Sequence, residues 1–149
     1  LKLSKKDSKS IIFTSQMARL IPKNDLRYLR LYRHLIGTRW RQILSLSKIF
    51  DQHDMIDFHN FSKQSYFTKI IHEIENLPPL GCEEQLIDGK WLMATTNIEQ
   101  GQKLGRLKEW LYRIQIENDL KKVSEIEEIL ATLLWQNSDF NSWPRMTLE

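Results

Sequence analysis

The chain has 149 residues, of which 41% are hydrophobic, and its formal net charge is +3. Five glycines and four prolines argue against a loop-rich or all-β protein, and the lone Cys82 excludes an internal disulfide and disfavours a cysteine-based zinc site. No run of about 18 apolar residues occurs, so we predict no membrane span.

Charge is unevenly distributed along the sequence. Residues 1–50 contain twelve Lys or Arg and two acids, a net charge of +10, whereas residues 51–149 contain ten against seventeen, a net charge of −7. A split of this size predicts a polyanionic partner for the N-terminal third. The alternative is a solvated basic face balanced by the acidic part of the same chain.

The N-terminal helices follow from the spacing of apolar residues. Residues 1–10 are polar and are predicted to be frayed, and residues 11–20 are predicted to form a short helix. The stretch "DLRYLRLYRHLI" predicts a second helix, which Asn24 or Asp25 caps and Gly37 ends.

The remaining helices are predicted in the same way. "TRWRQILSLSKIF" predicts a helix capped by Thr38, and a loop, "DQHDMIDFHNF", separates it from "SKQSYFTKIIHEIENL", a helix that Pro78 ends. A short helix begins near Asp88, and "QGQKLGRLKEWLYRIQIENDL" predicts the longest helix. Ser124 and Glu127 form a predicted capping box for a last helix. The longest helix is predicted to turn inward Leu104, Leu107, Trp110, Leu111, Ile114 and Ile116.

These elements predict an all-α fold of about six to eight helices without a significant sheet. We expect a basic helical body over residues 1–77, a hinge over 78–87, a helical tail over 88–136 and an extension over 137–149. Because the chain begins with Leu1, we expect it to be a fragment of a longer protein, and its last two residues could be vector-derived.

The sequence contains no recognisable catalytic or metal-binding motif. It has no glycine-rich phosphate loop with a lysine, no G-x-S-x-G and no paired Asp-x-Asp. The His53-Asp54 dipeptide would suit a metal phosphohydrolase only with two further ligand clusters, which His34, His59 and His72 do not provide. We therefore predict neither catalytic residues nor metal ligands in this chain.

The first candidate nucleic-acid site consists of arginines between two predicted helices, interleaved with Tyr28, Tyr32 and Trp40. Arginine forks bind phosphate oxygens bidentately, and aromatic rings can stack on bases. In the alternative interpretation, Trp40 and one tyrosine are core residues and the arginines pair with acids. The candidate residues are Arg27, Arg30, Arg33, Arg39 and Arg41.

The second candidate site is the start of the longest helix, near Gly101. Unbonded N–H groups and the positive end of the helix dipole favour anions there. Glycine inside a helix costs about 1 kcal/mol relative to alanine, so Gly105 predicts a close approach, either by a phosphate backbone or by a neighbouring helix. The candidate residues are Gln102, Lys103, Gly105 and Arg106.

The stretch from "LIDGKWLMATTNIEQGQKLG" to "SEIEEIL" resembles the C-terminal region of the class II tRNA nucleotidyltransferase (CCA-adding enzyme) and poly(A) polymerase family. The resemblance covers roughly residues 25–135, and Glu99-Gln100 depart from it where many members have Pro or Lys. The matching positions are Gly89, Leu92, Ile98, Gly101, Leu104, Gly105, Leu107 and Glu127-Glu128.

The resemblance implies a body-and-tail fragment without catalysis of its own. It implies tRNA as the partner, bound at the acceptor stem and the TψC side, together with an N-terminal catalytic head of the same parent chain. It implies no cofactor here, while the parent nucleotidyltransferase would use Mg and CTP or ATP in the cytoplasm or an organelle. The alternative is a helical protein–protein interaction module with a basic docking face.

Overall fold

The computed structural model describes the backbone of residues 4–52 and 63–148. Within these ranges the chain is helical and contains no strand, which confirms the predicted all-α class and the number of helices. A 3-10 turn, Gly37–Arg39, precedes α3, and another, Phe140–Ser142, follows α7. The α-helices are α1 (Lys5–Ala18), α2 (Leu26–Ile36), α3 (Trp40–Gln52), α4 (Lys63–Glu75), α5 (Gly89–Thr96), α6 (Gln102–Asn118) and α7 (Val123–Thr132).

Helix α1 begins six residues earlier than the apolar pattern predicts. Ser4 is its N-cap, and the Ser4 hydroxyl accepts a hydrogen bond from the backbone N–H of Asp7 at 3.1 Å. The Asp7 carboxylate also lies in the first turn, where the helix dipole favours negative charge. The prediction that residues 1–10 are frayed is therefore wrong for residues 5–10.

The break between α2 and α3 lies where it is predicted. Gly37 has a φ of +64°, a conformation that favours glycine, and it ends α2. Thr38, however, lies inside the 3-10 turn that leads directly into α3, so it is not the predicted N-cap. The predicted loop that contains His53-Asp54 lies outside the described residues, and α3 continues to Gln52.

The chain divides into two compact units, each built from two stretches of sequence. We call Leu1–Asp25 with Ile36–Leu77 the N-terminal unit, and Leu26–Leu35 with Pro78–Glu149 the C-terminal unit. The predicted border at residue 77 coincides with the last passage between units, but most of α2 belongs to the C-terminal unit. By sequence the N-terminal unit has eleven basic against seven acidic residues, and the C-terminal unit has eleven against twelve, giving +4 and −1.

The N-terminal unit packs α1 and α4 against α3. Its core holds Ala18 of α1, and the Tyr66 hydroxyl donates to the carbonyl of Pro22 at 2.6 Å, which fixes α4 to the segment after α1. The other buried apolar residues of this unit include Ile36, Trp40, Ile43, Leu44, Phe67, Ile70 and Ile74.

The C-terminal unit packs α5 and α7 against α6. Leu104, Leu107, Leu111 and Ile116 are buried as predicted, whereas Trp110 and Ile114 are half-buried. The N-cap of α7 is Lys122, two residues before the predicted N-cap Ser124. The Glu125 carboxylate, rather than Ser124 or Glu127, binds the N–H groups before the helix at 2.8 Å.

The predicted hinge, residues 78–87, is fastened along α6 in the C-terminal unit. Gln115 is 1% exposed, and its amide group donates to the carbonyls of Cys82 and Glu84 and accepts from the N–H of Leu86. The Asp119 carboxylate binds the N–H of Gly81 at 2.7 Å. One buried amide thus satisfies three main-chain groups of a segment that has no secondary structure of its own.

The predicted C-terminal extension, residues 137–149, also belongs to the C-terminal unit. Trp143 and Leu148 are 4% and 7% exposed, and Trp143 packs in the same core cluster as Leu107 and Ile126. We call residues 143–148 the terminal segment. The burial of Trp143 and Leu148 means that this segment contributes to the fold of the C-terminal unit.

Candidate nucleic-acid interface

The predicted arginines of α2 lie on one side of the helix. At about 100° per residue, Arg27, Arg30, Arg33 and His34 fall within roughly one third of the helix circumference. Arg27 and Arg33 are exposed. Tyr32 is fully buried, which is what the alternative interpretation predicts for one of the tyrosines, and burial raises the pKa of its hydroxyl.

Arg30, in contrast, is turned toward α6. Its Nη1 donates to the carbonyl oxygen of Glu117 at 3.1 Å, and the contact is partly buried. The Glu117 carbonyl is among the last four of α6, which lack partners within the helix and lie at the negative end of its dipole. Arg30 is therefore a capping residue for α6.

His34, one turn after Arg30 on α2, also contacts α6. Its Nε2 lies 3.1 Å from the Tyr112 hydroxyl, which donates its one hydrogen to the carbonyl of Glu83 at 2.7 Å. The imidazole Nε2 must therefore carry a proton and donate to Tyr112. Burial lowers the pKa of His34, and the charge of Glu83 opposes this effect.

Arg39 remains exposed at the 3-10 turn of the N-terminal unit. Its Nη1 donates to the Ser10 hydroxyl at 2.9 Å, and its guanidinium lies 5.2 Å from the ring centroid of Phe13. Both partners are on α1, so the guanidinium is held against this helix. A stacked guanidinium keeps several donors in its plane for a phosphate.

Arg41 is likewise exposed and stacked. Its guanidinium lies 5.0 Å from the ring centroid of Trp40, and its side chain is 69% exposed. Arg41 also pairs with Glu75 of α4 at 2.8 Å. Trp40 is itself a core residue, as the alternative interpretation predicts, so it supports the arginine instead of offering its ring to a base.

Helix α6 begins at Gln102, directly after Gly101, which is where the sequence predicts its start. Gly101 is the N-cap and supplies no side-chain hydrogen bond, Gln102 is exposed and Lys103 is half-buried. Gly105 is exposed, and within the described residues no atom beyond its own stretch of helix lies within 4 Å of the position that a Cβ would occupy. No helix among the described residues therefore packs over Gly105.

Arg106 differs most from its prediction. It is 7% exposed, and its guanidinium binds the carboxylate of Glu109 and the carbonyl of Trp143. The second oxygen of Glu109 accepts from the N–H of Met146 at 2.9 Å. Arg106 therefore holds the terminal segment and does not present its charge to solvent.

Three of the predicted residues of the C-terminal unit lie at the two ends of α6. Arg30 lies at its C-terminal end, and Gln102 and Lys103 lie at its beginning, about 22 Å away along the helix axis. No single phosphate could contact both ends. Arg39 and Arg41 belong to the N-terminal unit.

A cleft on the terminal segment has no counterpart in the sequence predictions. It has a volume of about 460 Å³ and is lined by Trp110, Arg113, Glu117, Trp143 and Arg145 among others. The run "SWPR", with tryptophan, proline and arginine together near the end of the chain, is the sequence signal that could have indicated it.

The described residues contain no group of three or more His, Cys, Asp or Glu that could hold a metal ion. In the same part of the chain, no helix is long and apolar enough to cross a membrane. Comparison with protein-family models, with curated proteins and with solved structures gives no match.

Proposed function

We propose that this chain is an RNA-binding helical module that grips tRNA at the acceptor stem and the TψC side by phosphate and shape contacts. In this proposal it serves as the body and tail of a CCA-adding or poly(A)-adding nucleotidyltransferase. Nucleotidyl transfer, with Mg and CTP or ATP, belongs to a catalytic head of the parent protein.

The observation that carries the proposal is the pair of exposed, stacked arginines in the N-terminal unit. Arg39 and Arg41 both lie against aromatic rings and both are exposed, and the ion pair of Arg41 with Glu75 is solvent-exposed and therefore weak enough to yield to a phosphate. Stacking reduces the conformational entropy that an arginine loses on binding a phosphate. Their unit carries a net charge of +4, which favours a polyanion.

The spacing of the remaining candidates favours an extended ligand. Arg30, which lies between Arg27 and Arg33 on α2, contacts the C-terminal end of α6, and Gln102 and Lys103 lie at its start, about 22 Å away along the helix. Duplex RNA is bound mainly through backbone and 2′-OH contacts spread over such distances. A small anion would use only one of these groups.

Binding to a labelled tRNA that lacks its CCA end, measured over a series of salt concentrations, tests the proposal. We expect saturable binding that weakens with salt and exceeds binding to an unrelated hairpin and to duplex DNA. Arg39→Ala and Arg41→Ala should each weaken binding and reduce the salt slope by about one unit.

Gln42→Ala is the matched control, because Gln42 is exposed, uncharged and adjacent to Arg41. Its affinity and salt slope should equal those of the unaltered chain. Unchanged binding in both arginine variants would remove the N-terminal unit from the interface. Absence of tRNA binding at low salt would contradict the proposal for this chain.

A protein-interaction module is the second candidate, and exposed apolar residues on α1 favour it. Ile11 and Ile12 are more than half exposed, and Ile11 lines an open groove of about 230 Å³ with Leu46 and Phe50. Because α1 also carries exposed lysines, the partner would be an acidic amphipathic helix. Binding of such a peptide that Ile11→Asp abolishes, without tRNA binding, would favour this candidate.

A further inference from the structure

The cleft beside the terminal segment has the size and lining of a small-ligand site. Its volume of about 460 Å³ falls within the range of about 300–1,000 Å³ that is typical of such sites. The walls are the side of α6 that carries Trp110 and Arg113 and the chain from Trp143 to Thr147. All of these residues belong to the C-terminal unit, and none is among the predicted RNA contacts.

The aromatic wall of this cleft is held in place by its neighbours. The rings of Trp110 and Trp143 are 5.5 Å apart at an angle of 34°, and Phe140 contacts Trp143 edge to face. The indole N–H of Trp143 donates to the Ser138 hydroxyl at 2.7 Å. Trp143 is buried, whereas Trp110 is half-buried, so Trp110 provides the ring surface that a ligand can reach.

Among the described residues that line the cleft, Arg145 is the cation that can bind an anionic ligand. The Arg113 Nε pairs with Glu117 at 2.8 Å, and its Nη1 donates to the carbonyls of Arg145 and Thr147 at 2.7 and 3.1 Å. Arg113 and Glu117 therefore neutralise each other. Arg145 is exposed, and within the described residues its guanidinium makes no hydrogen bond or ion pair.

We propose that this cleft binds one unpaired nucleotide, with its base stacked on Trp110 and its phosphate bound by Arg145. A flat ring and one anionic group are the two features that the lining complements, and a nucleoside monophosphate unit has both. Stacking of bases on aromatic side chains is the usual way in which proteins hold unpaired nucleotides. The ligand is either a free nucleotide or one residue of a single-stranded RNA.

The full chain titrated with AMP, and separately with a single-stranded tetranucleotide, tests this inference by NMR of the indole N–H signals. We expect shifts of the Trp110 and Trp143 signals, with little change at Trp40, and a Kd on the order of 1 mM or lower. Tighter binding of the tetranucleotide would identify an RNA strand as the source, and equal binding a free nucleotide.

Arg145→Ala should weaken AMP binding about tenfold, because a charge-assisted hydrogen bond is lost. Only the main-chain carbonyl of Arg145 bonds to Arg113, so the fold is retained. Lys90→Ala, which removes an exposed cation from α5, should leave AMP binding unchanged. Trp110→Leu should weaken AMP binding but not the weak binding of ribose 5-phosphate.

Three results would overturn the inference. They are equal AMP affinity in Arg145→Ala and the unaltered chain, equal affinity for ribose 5-phosphate and AMP, and indole shifts that leave Trp110 unchanged. These outcomes do not depend on tRNA binding, which Arg39→Ala and Arg41→Ala test in the other unit. Failure of one proposal can therefore be distinguished from failure of the other.

Discussion

The two units use arginine in opposite ways. In the N-terminal unit, Arg39 and Arg41 lie on aromatic rings with their guanidinium groups exposed. In the C-terminal unit, Arg30, Arg106 and Arg113 donate to main-chain carbonyls of segments distant in sequence. Each unit has eleven basic residues. The number of basic residues therefore does not reveal whether they form a basic surface or hold segments of the fold together. The difference lies in what each guanidinium faces.

Replacing the buried Arg106 should have the largest effect on stability and so gives the sharpest test of this difference. Arg106→Leu should lower the free energy of unfolding by about 3 kcal/mol, since the Trp143 carbonyl and the Glu109 carboxylate would lose their partner. Urea denaturation followed by tryptophan fluorescence measures the effect. Lys103→Ala, earlier on the same helix, is the control and should change stability little. A decrease in the free energy of unfolding below about 0.5 kcal/mol would show that Arg106 does not hold the terminal segment in place.

Replacing Gln115, the buried and uncharged residue that bonds to residues 82–86, should have the second-largest effect on stability. Gln115→Leu should lower the free energy of unfolding by about 2 kcal/mol, because three main-chain groups of residues 82–86 lose their partner. Gln102→Leu places the same change at the exposed start of α6 and should have little effect. Equal denaturation midpoints for the two variants would contradict the role assigned to Gln115.

Arg27 and Arg30 provide a matched pair one turn apart on α2. Arg30→Ala should cost about 1 kcal/mol because it uncaps the Glu117 carbonyl, and Arg27→Ala should remain within about 0.5 kcal/mol of the unaltered chain. Thermal unfolding of both variants, scanned in parallel, compares them directly. If Arg27→Ala were the more destabilising, the distinction between exposed and internal arginines on α2 would fail.

Gly105→Ala should have the smallest effect and the opposite sign. Because a Cβ at this position meets no described atom within 4 Å beyond its own stretch of helix, alanine should raise the free energy of unfolding by about 0.5–1 kcal/mol through its higher helix propensity. The same variant tests the open start of α6 as an RNA contact. Weaker tRNA binding by a more stable protein would support close approach of a backbone at Gly105, and unchanged binding would exclude that reason for the glycine.

Periodicity predicted most of the helices because each has one apolar face. Leu104, Leu107 and Leu111 recur at helical spacing, and all three are buried. The apolar pattern does not reveal the start of α1 because the first turn has no apolar residue, and the Ser4–Asp7 cap is the local signal that marks it. Local patterns of this kind depend on a few neighbouring residues, which the sequence displays directly.

The opposite face of α6 could not be predicted in this way. Arg106, Glu109, Arg113 and Glu117 have the spacing of a solvated, salt-bridged surface. The terminal segment covers much of this face, and its contacts join residues more than 30 positions apart. The same long-range packing forms the cleft, so neither the burial of Arg106 nor the role of "SWPR" follows from local sequence.

The cap that Arg30 places on Glu117 has a consequence for the order in which the chain folds. The contact spans 87 residues, and the neighbouring contact of His34 with Tyr112 spans 78. During synthesis at about 5–20 residues per second, α2 emerges several seconds before the helix that it caps. The C-terminal unit therefore cannot be completed until residues 78–149 have been synthesised, and both stretches of the N-terminal unit, Leu1–Asp25 and Ile36–Leu77, precede those residues in the chain. We expect slow, late closure of the C-terminal unit, governed by the entropy of a long loop.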